Sequence, residues 1–347
     1  MKIIWKPQSL IEWIAIKANM APAPTGAGLY GYLCKVILLA EKYNIFEACK
    51  DTPQTIEQIA QKTNLDPRPL RSVMNILTCD GYFKYKSGKF ESTKITKKWC
   101  LKDSPNNVCN TLRYQNEVLM QNVNYMEEFL KNGKGLDVHQ NYTEEQWEAY
   151  QNGMLDMAKA TAKSAPKMAP KLRNPAEMLD IGGSHGLYCV EMCRKYPTLK
   201  ATILDLPQAV DKARPILEKY SMGDRINYMI GNALTDDFGE NKYDIILISS
   251  LMHHFTAEQN ILVSKKATKA LKSGGFFIIQ DWLRPETSSK MEMVGTIMDL
   301  VFNITSLSGT RGVDEFKKFQ HEAGLIHHKV KTFMEIPGFV QICAKKQ

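Results

Sequence analysis

The stretch Met178-Leu-Asp-Ile-Gly-Gly-Ser-His-Gly186 constrains the fold of this chain more than any other. It reads as a short buried strand that breaks into a glycine turn and opens a helix at Leu187-Tyr-Cys-Val-Glu-Met-Cys193. An acid, Asp205, closes the next apolar run, Ala201-Thr-Ile-Leu-Asp205, and lies 205 − 180 = 25 residues beyond Asp180. That spacing matches a βαβ unit whose second strand presents a carboxylate to ribose hydroxyls. Glycine is expected at the turn because a ligand approaches the backbone closely and a Cβ would collide with it. A nucleoside-containing cofactor follows. A dinucleotide fits poorly, because counting from Gly182 the second and third glycine positions of a pyrophosphate loop hold Ser184 and Leu187.

A chain of 347 residues is long enough for two cores, and 44% apolar with 24% charged residues is ordinary for a globular protein. No apolar run approaches the ~20 residues of a membrane span. The start, Met1-Lys-Ile-Ile-Trp-Lys-Pro7, is interrupted by Lys6, Pro7 and Glu12 and makes a poor signal peptide. Eight cysteines occur without a Cys-x-x-Cys pair, and Cys189 and Cys193, one helical turn apart, suit a helix face better than a metal site. A reduced, cytoplasmic setting without a metal is the expectation.

Ser9–Lys17 has helical periodicity that ends at Ala21-Pro-Ala-Pro-Thr-Gly26, and a long apolar helix is expected from Leu29 to Cys49. Thr55–Lys62 and Pro67–Leu77 read as a helix-turn-helix pair, with Asn64 as a stop and Asp66 as a cap. Tyr82–Tyr85 and Lys89–Thr93 flank Lys86-Ser-Gly88 as a hairpin, the wing of a winged helix. Residues 108–171 look helical throughout. Beyond Pro175, apolar runs near 178–182, 201–205, 226–230, 243–249 and 275–280 alternate with amphipathic helices, the pattern of an α/β doubly wound sheet. His327–Ile336 and Phe339–Cys343, joined through Pro337-Gly338, read as a terminal antiparallel hairpin. The expected domains are 1–105 (winged helix), 106–174 (helical linker contributing to an acceptor pocket) and 175–347 (cofactor domain).

Five ordered segments carry a family resemblance: Leu179–Gly186, Leu204-Asp-Leu-Pro207, Ile230-Gly-Asn-Ala-Leu234, Ser249-Ser-Leu-Met-His-His-Phe-Thr-Ala-Glu258, and Leu271-Lys-Ser-Gly-Gly275 before a strand. In them, and over nearly its whole length, the chain resembles class I S-adenosylmethionine-dependent methyltransferases, narrowly the O-methyltransferases with an N-terminal winged-helix dimerisation domain. The resemblance implies a homodimer formed through that domain, S-adenosylmethionine as cofactor and a Rossmann-like sheet closed by the terminal hairpin.

It also implies roles for residues. His253, after the strand Tyr243–Ser249, stands where the family places its general base, and histidine suits that task because its unperturbed pKa of about 6.5 lies near working pH. The family commonly follows it with Asp; here His254 follows, and it reads as a packing residue. Read bare of the motif, His253 would merely cap a strand-to-helix turn. Asp281 stands where plant members carry a Glu that supports the base, while Thr310 occupies the place of their second supporting Glu. Gly182 and its neighbours would face the methionyl part of the cofactor, Asp205 the ribose, and Leu206, Asn232 and Ala233 the adenine. Ser249 replaces a plant Lys on the adenine side. As an alternative, Asp205 caps the helix that begins at Pro207. Met154, on the helix that lids the site in the family, would line the acceptor pocket, with Trp282, Met298 and Asn303 as further candidates; each would otherwise be core.

Up to Asp103 there are 16 Lys and Arg against 9 Asp and Glu, so this part carries +7 of the formal +8. With a winged helix, that raises a DNA-binding regulator as an alternative. The second helix offers only Arg68, Arg71 and Asn75 beside apolar residues, which is thin for a base reader, so nucleic acid is not the expected partner. A family member that binds the cofactor without transferring methyl is the other alternative. The reading adopted is methylation of a hydroxyl on a small, aromatic specialised metabolite.

Overall fold

The computed structural model describes residues 9–18, 20, 27–286 and 293–347. The expectations for the first seven residues and for the Ala21–Gly26 break lie outside the described residues. The chain divides into two compact units between Gln121 and Asn122, inside the stretch expected to link the halves.

In the first unit, capping chemistry sets the helix boundaries. Thr55 and Gln58 form a reciprocal capping box at the start of helix Ile56–Thr63, and Asn64, in the left-handed region at φ 54°, ends it. The Asp66 carboxylate accepts from the Arg68 N–H at 2.8 Å and starts helix Pro67–Cys79. Strands β1 (Phe83–Lys86) and β2 (Lys89–Ser92) pair antiparallel across Ser87 and Gly88, whose positive φ values of 50° and 77° suit a tight hairpin turn. Ile59, Leu70, Met74, Leu77, Phe83 and Phe90 form the core beneath them. The expected long helix is in fact two, Ala27–Lys42 and Ile45–Ala48, because Asn44 turns left-handed at φ 56°. Asparagine tolerates that conformation better than most side chains do.

The second unit holds a seven-stranded sheet of β3 (Glu177–Ile181), β4 (Lys200–Asp205), β5 (Ile226–Ile230), β6 (Tyr243–Ser249), β7 (Leu271–Trp282), β8 (Ile326–Thr332) and β9 (Phe339–Lys345). Its order is β5-β4-β3-β6-β7-β9-β8; the first five are parallel, and β9 runs antiparallel to both neighbours. The expected terminal hairpin is β8–β9. The central strands read as unbroken apolar runs because both faces are covered. Met178, Ile203, Ile245, Leu247 and Ile278 belong to one core, and Leu179, Ile181, Leu204, Ile246 and Ile248 to the other. Strand β7 starts four residues earlier than the glycines suggested, passing Gly274 at φ 80° through a register shift opposite Tyr243 and Ile245. None of the described helices is long and apolar enough to cross a membrane.

Chain order reverses between β3 and β6, where open parallel sheets bind ligands beyond the carboxyl ends of their strands. Register aligns Ile181 with Leu204 and Ile248, and Ile248 with Ile279. Gly182, Asp205, Ser249 and Gln280 therefore share one edge.

Candidate active site

The turn after β3 is held by packing. Gly182 has φ 69°, and a Cβ on it would meet Leu251 Cδ2 at 2.7 Å; one on Gly186 would meet Ile203 Cδ1 at 2.8 Å. The positive φ of both residues, 69° and 72°, favours glycine at these positions, as a bare turn would and beside the close approach of a ligand expected there. Ser184 takes φ 49° without being glycine. Three contacts hold it there: its N–H donates to Asp205 Oδ2 (2.8 Å), its carbonyl accepts from the Tyr228 hydroxyl (2.9 Å), and its hydroxyl donates to Gln151 Oε1.

Asp205 ends β4 and also accepts from the Leu206 N–H at 2.8 Å. Its side chain does not cap the Pro207–Glu218 helix. Burial pushes its carboxyl up to about 6, against the lowering effect of those two N–H groups. A carboxylate has about four acceptor positions, so two remain for a diol, and donors there would favour the ionised form. Beside it, Leu206 and Ile230 are 36% and 56% exposed, apolar surfaces suited to a flat heterocycle. Asn232 spends its Oδ1 on the Leu234 N–H, and the Ala233 carbonyl accepts from Lys266. Ser249 donates to Gln280, itself bonded to Gln341.

Beneath the turn, Asp180 is fully buried; burial pushes its carboxyl up to about 7, and it accepts from the Cys189 thiol at 3.2 Å. Asp180, Gln151 and Ile230 went unnoticed as site residues in the sequence. Asp180 and Ile230 both stood inside the motif segments, in Leu179–Gly186 and Ile230–Leu234.

Across the crevice, His253 lies in a 3-10 turn, Met252–His254, after β6. Its Nδ1 is 2.6 Å from Asp281 Oδ1, with both residues at most 1% exposed. A carboxylate partner fixes the tautomer with the proton on Nδ1 and leaves Nε2 basic. That Nε2 is buried and has no partner among the described residues. Ser306 Oγ donates to the His253 carbonyl at 3.0 Å, and the Phe302 ring lies 3.8 Å away. A second imidazole pair adjoins: His254 is 4.3 Å from His253 and 4.7 Å from His139 between ring centres. His139 in turn meets Tyr142, Trp147 and Tyr150. Burial, then the neighbouring imidazole of His253, lowers His139 to about 4 and His254 well below its ordinary value. This box of rings gave no sequence signal, since its members are joined only by folding.

Met154 is half-buried and outside the apolar cores, whereas its neighbours Leu155 and Met157 pack into one. Trp282 is buried against Phe302 and Phe339, and Met298 packs on the same core. Asn303 gives its amide N–H to Asp299 on its own helix, and Thr310 donates to the same Asp299 carboxylate. The place of the second supporting acid is therefore filled by a hydroxyl tied to an acid on another element. His327 and His328 line a cleft of about 340 Å³ at the amino end of β7, the opposite edge of the sheet from His253. Among the described residues no cluster of three or more His, Cys, Asp or Glu could hold a metal.

The residues at the β3–β4 edge fit an S-adenosyl group: a part-satisfied carboxylate, exposed apolar side chains beside it and, at Gln151, a buried amide with an unused donor. Comparison with known proteins agrees. Residues 117–326 match a family described as the O-methyltransferase domain. The chain is similar to a 3-hydroxy-5-methyl-1-naphthoate 3-O-methyltransferase of Streptomyces sahachiroi, 22% identical over 314 residues, which cover 88% of this chain and 89% of that one. In fold it is similar to human N-acetylserotonin methyltransferase in complex with S-adenosylmethionine (TM-score 0.83, 15% identity, 99% of each chain). It is also similar to mitomycin 7-O-methyltransferase (TM-score 0.83, 17% identity, 96% of this chain and 99% of that one).

Proposed function

The chain belongs to the O-methyltransferase domain family, S-adenosylmethionine-dependent enzymes of secondary metabolism, and from that premise we propose that it methylates a hydroxyl of a small aromatic metabolite with His253 as general base. The observation that carries this reading is the buried His253–Asp281 pair, 2.6 Å apart, with an unpartnered Nε2. When bound, S-adenosylmethionine supplies an electrophilic methyl group. The chain's own work is to hold donor and acceptor in line and to take a proton at a defined atom. His253 Nε2 accepts the hydroxyl proton as the oxygen attacks, and Asp281 stabilises the resulting imidazolium through Nδ1–H. Phe302 and the rings of His139 and His254, all grouped around His253, offer flat contacts to an aromatic acceptor. Met154 adds an adaptable one.

Gly182, Ser184, Asp205 and Leu206 would hold the cofactor. The exposed apolar residues of the first unit, Leu10, Ile11, Leu29 and Tyr32, support a homodimer formed through that unit. All eight cysteines are free thiols, in keeping with a cytoplasmic setting. Sedimentation at twice the 39.4 kDa chain mass is the expected result, and a monomer would remove the dimer. The activity is tested by release of S-adenosylhomocysteine with a panel of phenols. Turnover with O-methyl product by mass spectrometry is expected, whereas cofactor binding without turnover on any hydroxyl would overturn the reading.

A further inference from the structure

Gln151 is one of the buried side chains of the second unit that keep an unpartnered polar atom. It lies on helix Glu144–Thr161, is 1% exposed, and receives the Ser184 hydroxyl on Oε1. Its Nε2, an N–H donor, is buried with no partner among the described residues. Native proteins almost always pair such a donor, because an unpaired one loses its water without compensation. Ser184 is the third residue of the turn that would face the methionyl end of the cofactor. Gly186 follows, and then the Leu187–Lys195 helix, whose first N–H is taken by His185 Nδ1 at 3.1 Å. The positive end of that helix favours an anion nearby.

We infer that the Gln151 amide N–H binds the carboxylate of the cofactor's methionyl tail, and that its bond to Ser184 fixes this donor against the glycine turn. The inference rests on S-adenosylmethionine as cofactor and deepens that reading by naming the side chain that recognises the amino-acid end. An amide-to-carboxylate hydrogen bond is charge-assisted and stronger than a neutral one. The same helix carries the half-buried Met154, so it would present one residue to each of the two ligands.

Two probes separate the tail from the rest of the nucleoside: S-adenosylhomocysteine, which has the tail, and 5′-methylthioadenosine, which lacks it. Calorimetry on the full chain should show Gln151→Leu binding the first about 10–100-fold more weakly, the range for one charge-assisted hydrogen bond. Its binding of the second should change less than about twofold, inside that same scale. Gln151→Glu keeps the side-chain size and an acceptor for Ser184, so it guards against a folding failure of the leucine variant. It should weaken S-adenosylhomocysteine at least as much, because two carboxylates would then face each other. Equal loss of both probes would overturn the inference, since Gln151 would then only brace the turn. Unchanged binding would overturn it by pointing to a buried water as the partner. Tighter binding by Gln151→Glu would do so too, as that is the mark of an oxygen facing the cofactor's ammonium group. Failure of the wild-type chain to bind either probe would instead sink the cofactor reading, and this inference with it.

Discussion

On the β3–β4 side of the crevice, burial raises two carboxyls, Asp180 to about 7 and Asp205 to about 6. On the β6–β7 side it lowers two imidazoles, His139 to about 4 and His254 well below its ordinary value. The cause is shared and the sign opposite: dry surroundings disfavour the charged form, which is the deprotonated acid in one case and the protonated base in the other. The lesson is that each half resists charge until a partner arrives. His253 has its partner built in, at Asp281; Asp205 meets only two N–H groups and would gain a fuller set from a ribose diol.

The signs also separate the halves in stability. A carboxyl raised in the folded chain binds its proton more tightly there, so its contribution is full below about pH 4 and is lost as pH climbs through 6 to 7. A lowered imidazole behaves in reverse, contributing fully above about pH 6.5 and losing that contribution as pH falls towards 4. Mild acid therefore strains the buried imidazoles, among them His185 in the glycine turn, which burial also lowers to about 4, while relieving the two raised carboxyls.

The largest expected effect is on the base side. His253→Ala should lower kcat by ~10²–10⁴ while calorimetry finds S-adenosylhomocysteine binding intact. An equal fall in cofactor affinity would erase the division between the halves. Next, Asp205→Ala should weaken cofactor binding about 10–100-fold through lost charge-assisted contacts, with kcat at saturating cofactor largely kept; an unchanged dissociation constant removes its ribose role. The smallest effect sharpens the comparison. In the wild type, cofactor affinity should fall about fivefold from pH 6 to pH 5, because binding must then expel the Asp205 proton. Asp205→Asn should flatten that slope, and a slope that survives the substitution belongs to another group.

The donor side was the more legible in the sequence. Its glycine turn and Asp205 lie within one βαβ unit and announce themselves through spacing, whereas Leu206 came from the family resemblance. His253 and Asp281 were readable only through the family resemblance, which singles out the turn after β6 and the last residues of β7. What stayed hidden came from far along the chain: Gln151 reaches Ser184 across 33 residues, and His139 reaches His254 from well over a hundred away. Neither contact leaves a periodicity. Asn44 is a different kind of miss, since an asparagine in the middle of an apolar helical run is itself a break signal.

A glycine in place of Ser184 would relax into many shapes in the free protein; a serine held at its amide, carbonyl and hydroxyl has one. Strain of this kind persists only where surroundings over-determine it. The cradle is thus shaped before anything enters it, and association forfeits little loop freedom. Heat released on binding, more than order lost, will govern how tightly the nucleoside is kept.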